Sequence, residues 1–311
     1  MADGCAVVLR GTAADVLPVA ALPHLRGAAH VFGVDEQPPA PELLVKLAAD
    51  ESVVVVAAST AEPAAAALVA AGAPVVGLPV GSGLLEAVAV MDRLRSPGGC
   101  PWDAEQDHDT LRQYLVEETF ELLEAIEDGD RAAMREELGD VLLQVLFHAR
   151  VAAEHASDAF TVDDVAAELV AKLVGRHPHV FAGGDSAVRD SSTQQVRWEE
   201  LKQQEKQRES SVDGVALGQP AVALAAKLAQ RTKRAGFPVD LLPDGDDSGT
   251  TLFVVAALAK LAGEDPETEL RAVARRFAAD VRAAESAARI EGVTTLDTED
   301  WRRFWPANVE V

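Results

Sequence analysis

Two short segments of the sequence place pairs of carboxylates at helical spacing. Glu118 and Glu121 lie three residues apart in LVEETFELLEAIED, and Glu137 and Asp140 lie three apart in REELGDVLLQVLFHA. Residues three apart are about 60° apart around an α-helix, so each pair shares one face. Two such faces turned toward each other concentrate negative charge, which is tolerable around a cation. A ligand set made only of oxygens favours Mg²⁺ or Mn²⁺ over zinc.

Acidic helix faces are often simply solvated, and that interpretation applies to these segments as well. The surrounding sequence argues against it, because residues 113–130 and 136–149 contain no Lys or Arg. Surface helices usually interleave charges of both signs. A di-iron bundle is a second alternative, but it requires a Glu-x-x-His motif on each of two helices. Only Glu105 and His108 have that spacing, and they precede the first carboxylate helix.

The elements that must position these carboxylates are helices. From Leu84 to about Lys206 nearly every segment has helical periodicity, with short breaks such as SPGG and DGD. This pattern predicts a helical bundle over residues 84–206. The second carboxylate helix is apolar nearly all round except for one polar stripe, which continues at helical spacing to Gln144 and His148.

The N-terminal part of the chain has a different pattern. From Cys5 to about Ser82, the short β-branched runs AVVLRG, HVFGV, SVVVVAAS and PVVGLPVG alternate with Ala- and Leu-rich stretches of helical length. The alternation predicts a small α/β domain over residues 1–83 with a mostly parallel sheet. Its turns carry neither GxGxxG nor GxxxxGK[ST], so we expect a structural or regulatory role.

A second helical region follows, and we assign residues 207–311 to it and its tail. The segment 138–152 resembles 248–262, with one Gly and the apolar spacing kept, which indicates two copies of one bundle. In that alignment Thr250 stands in the place of Asp140, and residues 221–249 contain no Glu. The sequence therefore predicts a degenerate copy without a hydrolytic site, retained for packing, in a mainly α protein.

Net charge limits the partners that the chain can bind. The 51 acidic and 28 basic side chains give a formal charge of −23, which repels nucleic-acid backbones and anionic membranes. A polyanionic small molecule would need a metal ion or a local cationic cluster. Cys5 and Cys100 form no CxxC pair, and neither a signal peptide nor a membrane span is apparent. We expect a cytoplasmic protein without nucleic-acid or membrane partners.

Four sequence motifs together resemble those of one family. The run EETFE (117–121), followed by ELGD (137–140), is similar to the EExxE and ExxD signature of the MazG family of all-α nucleotide pyrophosphohydrolases. GCPWDAEQDHDTL before it, KLVGRHPHVF after it and the segment WEELK at 198–202 also look like family motifs, in order. The resemblance covers roughly residues 84–206, and residues 215–285 only weakly.

The resemblance implies a MazG-type bundle and a chemistry. Such enzymes cleave a (d)NTP between its α and β phosphorus atoms, giving a monophosphate and pyrophosphate with Mg²⁺, for which Mn²⁺ can substitute. It also implies that one carboxylate takes a proton from the attacking water, while Glu117 supports the ligands as a hydrogen-bond acceptor. The metal ligands and catalytic residues that it implies are Glu118, Glu121, Glu137 and Asp140.

Two cations follow the carboxylate helices. Lys172 and Arg176 are four residues apart, so they project from one helix face, and we expect them to neutralise the leaving pyrophosphate. They could instead be two solvated cations. The family usually has a second Arg just before this one, and here that place is Gly175, which suggests fewer phosphate contacts on that side.

The sequence signals for residues that contact the nucleotide base are less specific. Trp102 and Trp198 are candidates for stacking on a base, although Trp102 could equally be a core residue. Gln106 is a candidate for a hydrogen bond to a base edge. A sequence-tolerant aromatic surface would suit broad base specificity. A more selective dUTP or dCTP hydrolase, or an enzyme for another pyrophosphate-containing nucleotide, stays open.

Two further expectations concern role and assembly. The resemblance implies housecleaning of the nucleotide pool, and the apolar surface of the helix at 138–150 favours a homodimer. A catalytically silent adaptor that binds a basic protein through its acidic faces is the main alternative. Such an adaptor has no need for four ligand positions together with Lys172 and Arg176.

Overall fold

The structure is a computed structural model that describes residues 1–14, 16–181 and 209–306. Its contacts divide the chain into two compact units, Met1–Asp185 and Ser186–Val311. The predicted boundary between residues 83 and 84 falls inside the first unit, and the predicted boundary between 206 and 207 lies outside the described residues. The division into three domains therefore stays a prediction.

A four-stranded parallel sheet opens the first unit. The strands lie in the order β2-β3-β1-β4, and every pair is parallel. This arrangement confirms the small α/β region expected from the four β-branched runs. The strands are β1 (Ala6–Leu9), β2 (His30–Phe32), β3 (Val53–Ala57) and β4 (Val75–Val76). The helices that accompany them are α1 (Leu22–Gly27), α2 (Pro41–Asp50) and α3 (Pro63–Ala70).

Helices cover both faces of this sheet, which explains its continuous apolar strands. On one face, Val7 and Val55 pack with Leu44 of α2 and Leu68 of α3. On the other face, alternate strand residues such as Val54 pack toward α1. The helix that follows β1 thus packs on one face of the sheet and the helix that follows β3 packs on the other, although β1 and β3 are neighbouring strands. Their carboxyl ends form a topological switch point, where doubly wound sheets bind ligands.

Residues 82–181 of the first unit are mostly helical, as predicted. Its helices are α4 (Ser82–Arg95), α5 (Pro101–Glu105), α6 (His108–Asp128), α7 (Arg131–Ala152), α8 (Val162–Arg176) and α9 (Pro178–Phe181). Helix α6 packs along α7, and α4 and α8 also contact α7. Met91, Leu111, Leu146 and Phe147 form the buried core between them. Helix α7 is therefore the central element of this bundle.

Local capping fixes the α6–α7 hairpin. Asp107 begins α6 by accepting the Thr110 N–H, and the Thr110 hydroxyl closes the reciprocal capping box. Gly129 ends α6 with a φ of +68°, a left-handed conformation that favours glycine. Asp130 then caps α7 at once. With only two residues between them, the helices run antiparallel and side by side.

One arginine joins α4 and α5 to the end of α7. Arg95 donates from Nε and Nη2 to the two carboxylate oxygens of Glu154, each at 2.9 Å, and from Nη1 to the carbonyl of Asp103. Its guanidinium also lies 5.8 Å from the ring centroid of Phe147. Arg150 reinforces the group by pairing with Glu154 at 2.7 Å. This network holds α5 against the core.

The described residues of the second unit form helices joined by loops, with no strand among them. Its helices are α10 (Ala221–Arg234), α11 (Ser248–Ala262), α12 (Pro266–Ile290) and α13 (Thr298–Phe304). Helix α10 packs along α11, and α12 contacts both. The buried residues at these contacts are small ones, including Ala225, Ala229, Ala256, Ala257, Ala284 and Ala288. With the first unit, this confirms a mainly helical protein.

The described helices fall short of the combined length and hydropathy that a membrane span requires. None of those in residues 1–14, 16–181 and 209–306 combines the length and apolar character needed to cross a bilayer.

Candidate active site

Three carboxylates meet between α6 and α7. Glu118 comes from α6, and Glu137 and Asp140 come from successive turns of α7. One oxygen of each lies within 4.8 Å of the others, and all three side chains are half-buried. The antiparallel hairpin produces this meeting, because Glu118 and Asp140 lie at similar distances from the connection at Gly129.

Electrostatics at this cluster are unfavourable without a cation. Burial, followed by the charges of Asp140, Glu121 and Glu137, raises the pKa of Glu118. Burial and the charges of Glu121 and Asp140 raise the pKa of Glu137 as well. In the described part of the chain, no Lys, Arg or His forms an ion pair with the three carboxylates. Three anionic oxygens this close fit a hard divalent cation.

Two further predicted residues border the cluster. Glu121 is exposed, and its charge raises the pKa of both Glu118 and Glu137, so it lies near them. None of its oxygens belongs to the group within 4.8 Å. Glu117 is also exposed and contributes to the raised pKa of Glu118. The structure thus brings together three of the four predicted ligands and keeps the fourth beside them.

The polar stripe of α7 continues beyond the carboxylates, and here the structure adds functional candidates. Gln144 is only 4% exposed, and its Oε1 has no hydrogen-bond partner in the described residues. His148 Nε2 is likewise buried and unpartnered. Buried polar atoms rarely lack a hydrogen-bond partner, and a ligand or an ordered water would supply one here. Helical spacing places both residues on this stripe, but spacing alone does not separate them from packed polar residues.

His148 is also held by a second histidine. Its Nδ1 lies 2.8 Å from Nδ1 of His108, at the start of α6, and the rings stack at 5.1 Å. One Nδ1 must donate and the other accept, so the pair cannot carry two protons on these atoms. Burial and then the charge of His108 lower the pKa of His148. A neutral imidazole therefore ends the stripe at neutral pH.

Trp102 and Gln106 lie in and after α5. Trp102 is 50% exposed, and its ring meets Tyr114 and Phe147 edge-on at 6.0 and 6.3 Å. One side of the indole is thus packed against α6 and α7, and the other is open. Gln106 donates from Nε2 to the carbonyl of Trp102 at 3.0 Å, which ends α5. Its amide nitrogen therefore already donates a hydrogen bond within the protein before any base binds.

The predicted phosphate-binding cations differ in their surroundings. Lys172 is exposed, whereas Arg176 is 5% exposed at the last turn of α8. A buried Arg is not a freely solvated cation, so the solvated alternative does not apply to Arg176. The residue after it, His177, donates from Nδ1 to the carbonyl of Leu173 at 2.7 Å and ends the helix. Trp198 lies outside the described residues.

A cavity of about 290 Å³ lies at the far end of α7. Its wall includes Met91, Leu146 and Thr161, with Asp92 and Arg150 at its polar side. Glu118, Glu137 and Asp140 do not line it. Ala149, which does, follows Asp140 by more than two helical turns, about 13 Å further along α7. We place the candidate chemistry at the carboxylates, because a mostly apolar cavity offers no cation site.

Comparison with known proteins agrees with this geometry. A family profile described as MazG nucleotide pyrophosphohydrolase domain matches residues 106–181, which include all three clustered carboxylates. A protein named nucleoside triphosphate pyrophosphohydrolase from Mycobacterium tuberculosis is 42% identical over 78% of this chain and 75% of its own length. The nucleoside triphosphate pyrophosphohydrolase/pyrophosphatase MazG of Thermotoga maritima is 35% identical over 71% of this chain and 93% of its own. The Escherichia coli nucleoside triphosphate pyrophosphohydrolase is 34% identical over 70% and 94%.

Proposed function

The chain belongs to the MazG family of nucleoside triphosphate pyrophosphohydrolases, and we propose that it cleaves (d)NTPs between the α and β phosphorus atoms. The products would be a monophosphate and pyrophosphate. The observation that carries this proposal is the cluster of Glu118, Glu137 and Asp140, whose oxygens lie within 4.8 Å inside the matched domain.

Magnesium is the proposed cofactor, with Mn²⁺ as a substitute. Glu118, Glu137 and Asp140 would hold it, with Glu121 beside them. When bound, the metal neutralises phosphate charge and lowers the pKa of a coordinated water. We assign proton acceptance from the attacking water to one of these four carboxylates. Glu117 supports the cluster from its exposed edge.

Substrate contacts would come from the helices around the cluster. We assign Lys172 and Arg176 to the pyrophosphate end, where cations stabilise the leaving group. The open side of the Trp102 indole offers a stacking surface for a base, and Trp198 and Gln106 stay candidates for base contacts. A flat ring tolerates any base, which supports broad base specificity. The housecleaning role is proposed from the family alone. The Gln144 and His148 stripe would add hydrogen bonds beside the metal.

Packing in the second unit supports a degenerate copy in the register that the sequence similarity predicts. Helix α10 packs along α11 as α6 packs along α7, whereas α12 contacts α11 only weakly. Helix α11 would therefore repeat α7, and the similarity of 138–152 to 248–262 pairs the same two helices.

This register leaves no complete ligand set at the equivalent positions. Glu137 corresponds to Asp247, whose side chain caps α11 by accepting the Thr250 N–H at 2.9 Å. Asp140 corresponds to Thr250, and a neutral hydroxyl is a poor substitute for an anionic ligand. Helix α10, in the place of α6, contains no acidic residue. We therefore propose that the second unit contributes packing and not hydrolysis.

We also propose a homodimer and a cytoplasmic location. Large apolar side chains are exposed on α6 and α8, which supports a homodimer that covers them. They include Val116, Phe120, Ile126, Val170 and Val174. A cytoplasmic location would suit a (d)NTP substrate, and the acidic surface would keep nucleic acid away.

Product analysis tests the proposal directly. The full chain is incubated with each of several NTPs and dNTPs and Mg²⁺, and the products are separated by anion exchange. We expect monophosphate and pyrophosphate in equal amounts, no turnover in EDTA, and none from Asp140→Asn prepared in parallel. Diphosphate and orthophosphate as the first products would refute cleavage at the α–β bond.

A further inference from the structure

The loop after β1 encloses a carboxylate that comes from helix α4. Glu86 accepts hydrogen bonds from the Thr12 N–H at 2.9 and 3.0 Å, from the Thr12 hydroxyl at 2.8 Å and from the Ala13 N–H at 2.5 Å. The Ala14 N–H contributes as well. These donors, led by Ala13, lower the pKa of Glu86. The carboxylate is therefore ionised and held by successive backbone amides.

Gly11 gives the carboxylate its place in the loop. A Cβ at this position would lie 2.2 Å from Glu86 Oε1 and 2.2 Å from the Ala14 carbonyl oxygen. Only glycine permits both approaches. The Gly11 N–H donates to the Val16 carbonyl at 3.0 Å and closes the loop behind it. The backbone is thus shaped around an oxyanion.

The position of this loop in the sheet is that of a ligand site. It begins at the carboxyl end of β1, beside β3, at the topological switch point of the sheet. Consecutive backbone N–H groups that converge on one point form a concavity that binds anions. Arg10 stands next to it, with Nη1 donating to the Gly11 carbonyl at 3.4 Å. Its exposed guanidinium forms no ion pair with any residue in the described ranges.

We propose that the amides of Thr12, Ala13 and Ala14 bind a phosphate group, and that Glu86 occupies their site when no such ligand is present. A carboxylate and a phosphate cannot share these donors, so the ligand displaces Glu86. Glu86 lies on α4, which packs against α7, the helix that carries Glu137 and Asp140. Ligand binding would thereby release one attachment of the sheet to the bundle.

The internal carboxylate competes with any ligand at a high effective concentration. Removing it should therefore strengthen phosphate binding, at the cost of the hydrogen bonds that Glu86 makes. The test compares the full-length wild type with Glu86→Ala in EDTA, so that no metal can bind phosphate at the carboxylate cluster. Glu42→Ala is the matched control, because it removes an exposed carboxylate from α2 with the same charge change.

Each protein is titrated with inorganic phosphate, pyrophosphate or adenosine monophosphate, and the amide resonances of Thr12 and Ala13 are followed. We expect Glu86→Ala to half-saturate at a concentration at least ~10-fold below that of the wild type and of Glu42→Ala. Equal responses to phosphate and to the monophosphate identify a bare phosphate group as the ligand. A response to the monophosphate alone identifies a nucleotide.

Two results would overturn the proposal. The first is a Glu86→Ala protein whose Thr12 and Ala13 amides respond no more strongly than those of Glu42→Ala. The second is a phosphate response that persists in Glu86→Ala after Gly11→Ala has distorted the loop. If Glu86→Ala does not fold, Glu86→Gln, which removes the charge and keeps the side-chain size, takes its place in the same titrations.

Discussion

One carboxylate oxygen of Glu118 lies within 4.8 Å of one of Asp140, across the interface of α6 and α7. Neither residue has a cationic partner in the described ranges, so the two anions repel each other until a cation binds. The same short distance that destabilises the free protein prepares a metal site. Activity and stability should therefore respond in opposite directions when one of these charges is removed.

Asp140→Asn should lower turnover by at least ~10²-fold, because it removes a charge on which metal binding depends. Glu118→Gln should do the same. Pyrophosphate release with saturating Mg²⁺ measures both, and circular dichroism verifies the fold. Glu124→Gln, an exposed position on the same helix α6, is the matched control and should retain activity. Turnover near wild type in Asp140→Asn would remove this residue from the site.

Glu118→Gln should stabilise the metal-free protein at neutral pH. The pKa of Glu118 in the native state is raised above its ordinary value of 4.5. Between pH 4.5 and this raised pKa, the native state therefore binds a proton that the unfolded chain releases. Wild-type stability therefore falls as pH rises through this window. In EDTA, the variant should melt above the wild type at pH 7.5, and the difference should shrink toward pH 4.5. Excess Mg²⁺ should raise the melting temperature of the wild type and not of the variant.

The lowered pKa of His148 predicts that stability depends on pH with the opposite sign. Its pKa is lowered below the ordinary 6.5, so in this window the unfolded chain binds a proton that the native state does not. Stability should therefore fall as pH falls through 6.5 toward the lowered pKa of His148. In His148→Gln, urea unfolding at a series of pH values should show a flatter dependence over this range. An unchanged slope would mean that the half-buried imidazole of His148 does not control the pH dependence of stability.

Glu154→Ala should lower the free energy of unfolding by about 2 kcal/mol. The Arg95 side chain is 7% exposed and would lose both hydrogen bonds to a carboxylate, although Glu154 itself is more exposed. Arg95 lowers the pKa of Glu154, so this contribution is complete above pH 4.5 and is lost as pH falls through the lowered pKa. Urea unfolding measures it. Glu168→Ala, an exposed carboxylate on α8, should change stability by less than about 0.5 kcal/mol.

Thr250→Ala in the second unit should leave turnover unchanged within about twofold, because Thr250 serves the cap of α11. Its hydroxyl donates to Asp247 at 2.6 Å. The variant should therefore lose about 1 kcal/mol of stability while keeping its activity. Pyrophosphate release and urea unfolding on the same preparation separate the two effects. A tenfold loss of turnover with the fold intact would assign the second unit a part in catalysis.

Sequence periodicity predicted the architecture well, because each element carries its own local signals. The four β-branched runs correspond to β1–β4, and the DGD break corresponds to the connection between α6 and α7. The facing of Glu118 with Asp140 also followed, since helix phase and a short connection determine it. The shared helix face of Lys172 and Arg176, which helical spacing predicted, stays a prediction.

Tertiary packing decided what spacing could not. Burial of Arg176 and exposure of Lys172 depend on neighbouring elements and not on the helix that carries both. The unpartnered atoms of Gln144 and His148 are visible only when the surrounding side chains are in place. The attachment of Glu86 to the loop after β1 spans more than seventy residues. No local motif marks such a contact.

The connection between α6 and α7 leaves the chain no spare length at Gly129 and Asp130. One residue inserted inside α7 before Glu137 would rotate the following carboxylates by about 100° and shift them by about 1.5 Å. An insertion inside α6 after Glu118 would turn that carboxylate away from its partners by the same angle. Residues added at the connection itself would leave the phase of both helices intact. Insertions and deletions accumulated by this hairpin during evolution should therefore be confined to that one point.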